Sequence, residues 1–486
     1  MNKKNLSAGT LSAALLTALG LPVGSALAQT APAGNADLET QIQQQEERIK
    51  VLERKLEIAA DDAKSAAATN AVPKASAGGF SIASADGKSV IKLRANLNID
   101  NRHFFNDEIP SGTVVPAGSN TTLLRLARPW IDGTINGWID FRFVPDFAQG
   151  KTVIQDAYTT LRFKPFAQLT VGKFKSPFGL ELLQSDSDIH FIERSLVSRL
   201  VPNRDIGLSL GGDLAGGKVT YALAWLNGSA DGSSSDANTS ADVDSNNDKD
   251  FVARVFSTPF RDGNSFLLRG LGLGIAATYV HATGTVDSTG AAVNSLLSSY
   301  KTNGQQTFFS YRGSTTPTIA AGERLRLSPQ AYWNYNSLGL LGEYVSVKQD
   351  VRRTISSADV REGTLTDKGW QLAAGYFLTG EDAGYKYPAP KSPYAVGKPG
   401  WGSFELTARI AVLDFDDAAF ANGSASFANP AAAVSKATAV TAGVTWQFTQ
   451  NFKTLLNYEQ TKFDGGAASG DAPTEKVLFT RFALSY

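Results

Sequence analysis

The segment VIKLRANLNID (Val90–Asp100) alternates apolar and polar side chains, and this alternation decides the fold. A period of two residues is typical of a β-strand that has one apolar and one polar face. The segments FELTARIAV (Phe404–Val412) and VTAGVTWQF (Val440–Phe448) show the same period. Because a soluble β-sandwich also alternates in this way, the spacing of the strands has to distinguish the two classes.

The connections between the predicted strands alternate in length. Short turns alternate with long polar loops, although the connections 259–269 and 380–401 break this rule. Short turns at one end, long loops at the other and an even strand count are typical of outer-membrane barrels. The sequence therefore predicts an all-β protein, a 16-stranded antiparallel transmembrane β-barrel over 89–486 that follows a short N-terminal coiled-coil helix. The predicted strands are 89–101, 121–133, 137–147, 154–163, 167–175, 205–213, 217–227, 249–258, 270–281, 323–335, 338–349, 367–379, 402–414, 437–449, 452–463 and 475–486.

Both ends of the chain indicate export to the outer membrane of a Gram-negative bacterium. Residues 1–28 have a positive start at Lys3 and Lys4, a short apolar run and a small-residue cleavage site, which together predict a signal peptide. The apolar run is too short for a membrane-spanning helix. The chain ends on an alternating strand whose last residue is Tyr486, a pattern that bacterial barrel-assembly machinery reads.

Residues 37–68 carry a heptad repeat between the signal peptide and the barrel. Ile42, Ile49 and Leu56 occupy the a positions, and most of the intervening residues are charged or polar. A helix with so narrow an apolar seam is expected to associate with copies of itself as a coiled coil. We expect it in the periplasm, because the first barrel strand starts there. Residues 69–88 are predicted to be a linker.

Composition excludes several classes of protein. A secreted chain without cysteine cannot be a disulfide scaffold. Lys plus Arg and Asp plus Glu both number 46, and loss of two lysines with the signal leaves 44 against 46, which argues against a nucleic-acid binder. The three histidines lack metal-ligand spacing, and no catalytic motif is present. The sequence thus predicts no enzyme, no metal and no cofactor.

The polar faces of the predicted strands are rich in basic residues. In an outer-membrane barrel these faces line the lumen. Arginine stays charged and offers forked donors that suit carboxylate and phosphate oxygens, so we expect a preference for anions. The alternative is a general porin in which opposite charges on facing walls only set up an electric field across the pore. The predicted pore-lining residues are Lys92, Arg94, Arg125, Arg142, Arg162, Arg254, Arg324, Arg326, Arg409 and Arg481, with Asp140, Asp156, Glu405 and Glu459 as acidic residues on comparable faces.

The segment after the fifth strand resembles part of a known family. The motifs are Gly172-Lys173-Phe174, PFGLE (Pro177–Glu181), ERSL (Glu193–Leu196) and Arg204-Asp205-Ile206-Gly207. In this order they resemble the phosphate-selective porin family of the O and P type, and the match is specific over about 120–210. The resemblance implies a trimeric 16-stranded barrel whose third loop, here 176–204, folds inward as an anion-binding constriction.

The chain departs from the family pattern inside this loop. Asp186 and Asp188 stand where better-known phosphate channels carry a lysine, so the resemblance leaves open whether the expected small anions include phosphate or polyphosphate. By the same comparison, Arg125 is retained as a constriction base, whereas the neighbouring position of the family pattern is occupied here by Leu126. The constriction residues expected from the loop and its flanks are Lys173, Lys175, Asp186, Asp188, Arg194, Arg199 and Arg204.

Three alternatives to an anion channel stay open. The first is a channel for neutral or cationic solutes, and the second is a structural tether whose coiled coil contacts the cell wall. The third, a barrel enzyme, lacks any recognisable motif. The Asp-rich loop 229–250 is expected to be solvated, with divalent cations bridging it to lipopolysaccharide as the other reading.

Overall fold

The computed structural model of the protein describes residues 35–69, 71–76, 78–105, 118–150, 152–234, 247–313 and 316–486. The predicted signal peptide and most of the Asp-rich loop lie outside these ranges. The chain divides into two units, Met1–Asn70 and Ala71–Tyr486.

The second unit contains a closed antiparallel barrel of sixteen strands within the described residues. Each strand pairs with its neighbours in the sequence, and the last strand pairs with the first. This confirms the predicted fold class. The strands are β1 Val90–Phe104, β2 Thr121–Ile135, β3 Ile139–Asp146, β4 Val153–Lys164, β5 Ala167–Lys175, β6 Arg204–Leu214, β7 Val219–Leu226, β8 Asp250–Ser257, β9 Leu271–Thr283, β10 Thr318–Tyr335, β11 Leu338–Ser356, β12 Asp359–Phe377, β13 Ser403–Asp414, β14 Val434–Gln447, β15 Phe452–Gly465 and β16 Glu475–Ser485.

The barrel is apolar outside and polar inside. On β1, Leu97 and Ile99 are about two-fifths exposed, whereas Asn98 and Asp100 between them are buried. On β16, Arg481 is likewise buried beside exposed Phe482. A soluble protein buries the opposite set, so this arrangement requires lipid around the wall.

The C-terminal residue completes the closure of the barrel. The backbone of Tyr486 exchanges two hydrogen bonds with Ala95 on β1, at 2.7 and 2.8 Å. Its ring packs on Phe80 at a centroid distance of 5.1 Å. The strand that ends the sequence therefore closes the cylinder without a free edge at this seam.

The connections differ in length at the two ends, with one correction to the prediction. The predicted loop 350–366 is instead strand, because β11 and β12 continue to a turn at 357–358. Val351, Thr354 and Val360 favour extended backbone there. Charged residues above the lipid interrupt the apolar pattern, which hid the strands from hydropathy. At the other end, 378–402 between β12 and β13 is long, as the sequence indicated.

The described part of the N-terminal unit forms one helix, Asn35–Thr69. No described helix is long and apolar enough to cross a bilayer. The heptad residues Leu38, Ile42, Ile49, Leu52 and Leu56 are each half-exposed or more in the single chain.

The predicted linker 69–88 is not wholly irregular. It contains two short paired strands, Val72–Ser76 and Gly79–Ala83, and the second pairs with β1 from Phe80↔Leu93 to Ala83↔Val90. Phe80 and Ile82 supply β-forming side chains in a stretch whose Ala, Ser and Gly content indicated a linker. The hairpin continues the sheet below the end of β16.

Candidate functional site

The segment 176–203 between β5 and β6, called here the constriction loop, folds into the barrel. Its apolar residues Phe178, Leu196, Val197 and Leu200 are fully buried against inner-wall residues of β11 and β13. A one-turn helix, Leu180–Leu183, and a short 3₁₀ helix, Leu196–Leu200, present these side chains to the wall. Burial of this apolar surface holds the loop inside a lumen that is otherwise polar.

The two sequence motifs of the loop contact each other. The Glu181 carboxylate of PFGLE accepts a hydrogen bond from the backbone N–H of Ser195 in ERSL, at 2.9 Å. The same carboxylate accepts from Arg409 of β13 at 3.1 Å and from Gln371 of β12 at 3.0 Å. Glu181 is buried, so these donors replace the water it loses. The motifs therefore attach the loop to the wall.

Further polar contacts fix the middle of the loop to strands β13, β15 and β16. The Lys453 ammonium donates to the carbonyls of Ser187 and Ile189, at 2.9 and 3.3 Å. His190 Nδ1 lies 2.6 Å from the Glu405 carboxylate, and Arg481 donates to the Ile192 carbonyl at 2.5 Å. These contacts hold the middle of the loop against the inner face of β13, β15 and β16.

Two other segments narrow the lumen. The first is 378–402, at the end with short turns. The Tyr385 hydroxyl donates a hydrogen bond to the Leu180 carbonyl at 2.6 Å, and the backbone carbonyl of Tyr385 accepts one from the Gln184 side-chain amide at 2.8 Å. From the end with long loops, Phe308 and Phe309 pack beside the constriction loop in one buried cluster. The space left open runs along β1–β6.

This space contains two cavities that share Asp186 and Arg204 on their linings. The upper cavity, of about 220 Å³, lies towards the long loops and includes Arg125, Arg199 and Arg481. The lower cavity, of about 1040 Å³, opens towards the short turns. Among described residues its charged lining is Lys92, Arg94, Arg142, Arg162, Lys175, Arg204 and Lys386 against Asp132, Asp140, Asp156, Asp186 and Asp188.

Arginine dominates the upper cavity. Six guanidinium groups and two carboxylates of the described residues line it: Arg125, Arg128, Arg194, Arg199, Arg204 and Arg481 against Asp186 and Glu193. Three further carboxylates lie behind the guanidinium groups, where Asp146, Asp156 and Asp100 pair with Arg128, Arg204 and Arg481. Since these three are buried, a solute in the cavity meets the positive groups first.

Asp186 is neutralised by its neighbours. It forms ion pairs with Arg128 and, at 2.8 Å, with Arg194. Burial opposes the charged form, but these two arginines outweigh it and hold the pKa of Asp186 well below its usual range. Glu193 behaves similarly: burial acts against its charge, yet Arg125, at 2.7 Å, lowers its pKa. Both carboxylates therefore stay ionised at neutral pH and are fully paired.

Two guanidinium groups keep unused donors. Arg199, half-buried on the upper cavity, forms no ion pair with a described residue, and its Nε has no hydrogen-bond partner. Arg142, on the lower cavity, also forms no ion pair with a described residue. It lies over Trp130 at 5.0 Å and Tyr158 at 5.7 Å, so cation–π contacts orient it without consuming its donors.

The structure separates the predicted site residues into two sets. Those that line one of the two cavities are Lys92, Arg94, Arg125, Arg142, Arg162, Lys175, Asp186, Asp188, Arg194, Arg199, Arg204 and Arg481. Arg409 lies beneath the constriction loop, and Arg254 stacks on Phe256 at 4.9 Å. Lys173 is buried within the wall.

Arg324 and Arg326 correct the predicted pore lining. Both point inward, as their strand faces require, but loop residues cover them. Arg326 is fully buried in ion pairs with Asp231 at 2.6 Å and Asp250 at 2.9 Å, and Arg324 donates to the Leu296 carbonyl. Alternation gives the face of a residue, and it does not show which loops later cover that face.

Arg128 lines the upper cavity although it is not among the predicted pore-lining residues. The register of β2 shifts opposite Asn98 and Ile99. This shift brings Arg125 and Arg128 to the same cavity although their spacing of three residues would place them on opposite faces. Trp130 and Lys386, which line the lower cavity, were also missed.

The chain has detectable relatives among families and folds. The family model described as "Phosphate-selective porin O and P" matches residues 95–486. No curated protein matches the sequence. The outer membrane channel DcaP of Acinetobacter baumannii is similar in fold, with a TM-score of 0.50 and 10% identity over 82% of this chain and 97% of that one. OmpF of Salmonella typhi, in complex with daunomycin, gives a TM-score of 0.46 and 11% identity over 85% and 100%.

Proposed function

The chain belongs to the phosphate-selective porin O and P family and is an outer-membrane channel, and we propose that it passes small anionic solutes by diffusion. The solute would enter the upper cavity, pass Asp186 and Arg204, and leave through the lower cavity towards the periplasm. No bond chemistry is required for this function.

The arginine lining of the upper cavity carries the proposal. Six guanidinium groups of the described residues line it, and only two carboxylates, both paired, do so. In a narrow cavity with little water, such a set lowers the energy of an anion and raises that of a cation. The lower cavity has the same sign, with seven basic and five acidic described residues.

Phosphate and polyphosphate belong to the proposed class of solutes, together with small carboxylates. Asp186, which argued against phosphate, is compensated by Arg128 and Arg194. Asp188 lines the lower cavity without an ion pair to a described residue, and it faces the larger space where repulsion is better screened. Free donors on Arg199 and Arg142 suit oxyanions generally.

The reversal potential in a KCl gradient tests the sign of selectivity. In planar lipid bilayers we expect the reversal potential of the purified channel to show a higher permeability to chloride than to potassium. We also expect added phosphate to reduce the chloride current, because phosphate would occupy the same arginines. Cation selectivity would refute the proposal and favour a general porin. The absence of any channel would favour the tether.

We also propose a homotrimer with a periplasmic coiled coil at 37–68. The seam residues of the helix are half-exposed or more in the single chain, and three copies would bury them. Deletion of 37–68 is expected to leave conductance intact and to weaken trimer cross-linking and cell-wall association. Unchanged cross-linking after deletion would place subunit association in the barrel alone. The outer face of the barrel would contact lipid and lipopolysaccharide.

A further inference from the structure

A patch of buried oxygen atoms lies on the inner face of β15 and β16, outside the two cavities. Glu459 and Thr461 share this face of β15, and Glu475 of β16 lies directly opposite Thr461 in the strand ladder. All three side chains are more than nine-tenths buried. The two carboxylates are therefore near neighbours in a place that water does not reach freely.

A turn of the loop between β9 and β10 covers this patch. Thr302 donates its hydroxyl to Glu475 at 3.0 Å, and the next residue, Asn303, donates its amide N–H to Glu459 at 2.9 Å. The turn continues at Gly304, where a Cβ atom would lie 2.9 Å from the Glu475 carboxylate. Consecutive residues of one turn thus touch both carboxylates.

Several oxygens of the patch have no partner. Glu459 Oε1, Asn303 Oδ1 and Thr461 Oγ1 are buried without a hydrogen bond. Oxygens of carboxylate, amide and hydroxyl groups are the ligands that hard cations take. The described residues contain no group of three or more His, Cys, Asp or Glu that could hold a metal ion, and this set differs in combining two carboxylates with neutral oxygens.

The charge of the patch is only partly balanced by protein groups. Glu475 forms no ion pair with a described residue. Arg409 reaches Glu459 only at 3.5 Å and has a shorter bond, 3.1 Å, to Glu181. Arg102 is directed to Glu193, and Arg199 to the Thr302 carbonyl at 3.5 Å. Water could fill the unused hydrogen bonds, but two carboxylates buried side by side would then hold a proton, which a bound cation would displace.

We propose that Glu459, Glu475, Asn303 and Thr461 bind a hard divalent cation, Ca²⁺, which fastens the turn at 302–304 to the barrel wall. The irregular mixture of ligands suits Ca²⁺ better than Mg²⁺, which demands octahedral geometry. The cation would hold the loop between β9 and β10 in place at this turn, so that removal of the cation frees the loop from the inner wall beside β14–β16.

Calcium binding to the full-length protein in detergent, after dialysis against a chelator, tests this site. With two carboxylates we expect binding in the range of about 10⁻⁴–10⁻³ M, measured by equilibrium dialysis, and a rise in the denaturation midpoint with calcium. Glu475→Gln should weaken binding at least tenfold. Glu323→Gln, at an exposed position on β10, is the matched control and should change nothing.

Thr461→Val removes a neutral ligand, so it keeps the test decisive if Glu475→Gln does not fold. It is expected to weaken calcium binding and to preserve the barrel. Failure of the wild-type protein to bind calcium at about 10 mM would overturn the proposal. Binding that persists unchanged in Glu475→Gln and Thr461→Val would also overturn it, because the ion would then bind elsewhere on the protein.

Discussion

Arg199→Glu is expected to abolish or reverse the anion preference of the channel. Arg199 lines the upper cavity and forms no ion pair with a described residue, and the substitution changes the local charge by two units. At a few ångströms and a partly screened dielectric, each unit contributes about 1 kcal/mol to the energy of a passing ion. We therefore expect the chloride-to-potassium permeability ratio to fall by about tenfold or more.

Two matched variants separate position from charge. Lys462→Glu makes the same change on an exposed outer position of β15 and should leave the permeability ratio near that of the wild type. Arg199→Lys keeps the charge and should retain most of the selectivity. If Arg199→Glu behaves like Lys462→Glu, ions do not pass the upper cavity and the proposed route is wrong.

Arg409→Met is expected to release the constriction loop. The change leaves Glu181 buried with its cationic partner removed, and breaking a buried ion pair in this way costs about 3–5 kcal/mol. The loop also loses the bond from Arg409 to the Glu193 carbonyl, 3.0 Å long. Single-channel conductance should rise and become noisy, and residues 185–199 should become sensitive to protease.

The double variant Glu181→Gln with Arg409→Met provides the control. It removes both charges of the shorter ion pair, so the carboxylate of Glu181 is no longer left unpaired under the loop, and we expect conductance and protease resistance to return towards wild type. The barrel should stay folded in each variant, since β12–β14 pair through backbone bonds. A quiet channel of wild-type conductance in Arg409→Met would show that apolar packing alone holds the loop.

The barrel could be predicted from sequence because its signal repeats. Every strand alternates with period two, and lipid on one side makes the alternation strict where the wall is submerged. Above the lipid this constraint ends, and there the prediction failed: Val351–Ser356 and Asp359–Thr366 are strand although their pattern indicated a loop. The hairpin at Val72–Ala83 was missed for a related reason, since its outer edge contacts neither lipid nor core.

The candidate site could be predicted only in part, because strand faces are local and loop coverage is not. Arg94 and Arg326 satisfy the same rule of alternation, yet one lines a cavity and the other is sealed beneath loop residues. Whether a residue is covered depends on contacts between positions up to a hundred residues apart, such as Arg326 with Asp231. The register shift that brings Arg128 beside Arg125 is similarly invisible in a single sequence.

The contact between Glu181 and Ser195 helps to fix the constriction loop without using the residues that line the lower cavity. Glu181 and Ser195 lie outside the linings of both cavities, whereas Gln184 to Asp188 line the lower cavity. Within this segment, Asp186 is held by Arg128 and Arg194, whereas Asp188 forms no ion pair with a described residue. Replacing Asp188 could therefore change which solutes the channel admits, while the contacts that hold the constriction loop in place stay as they are.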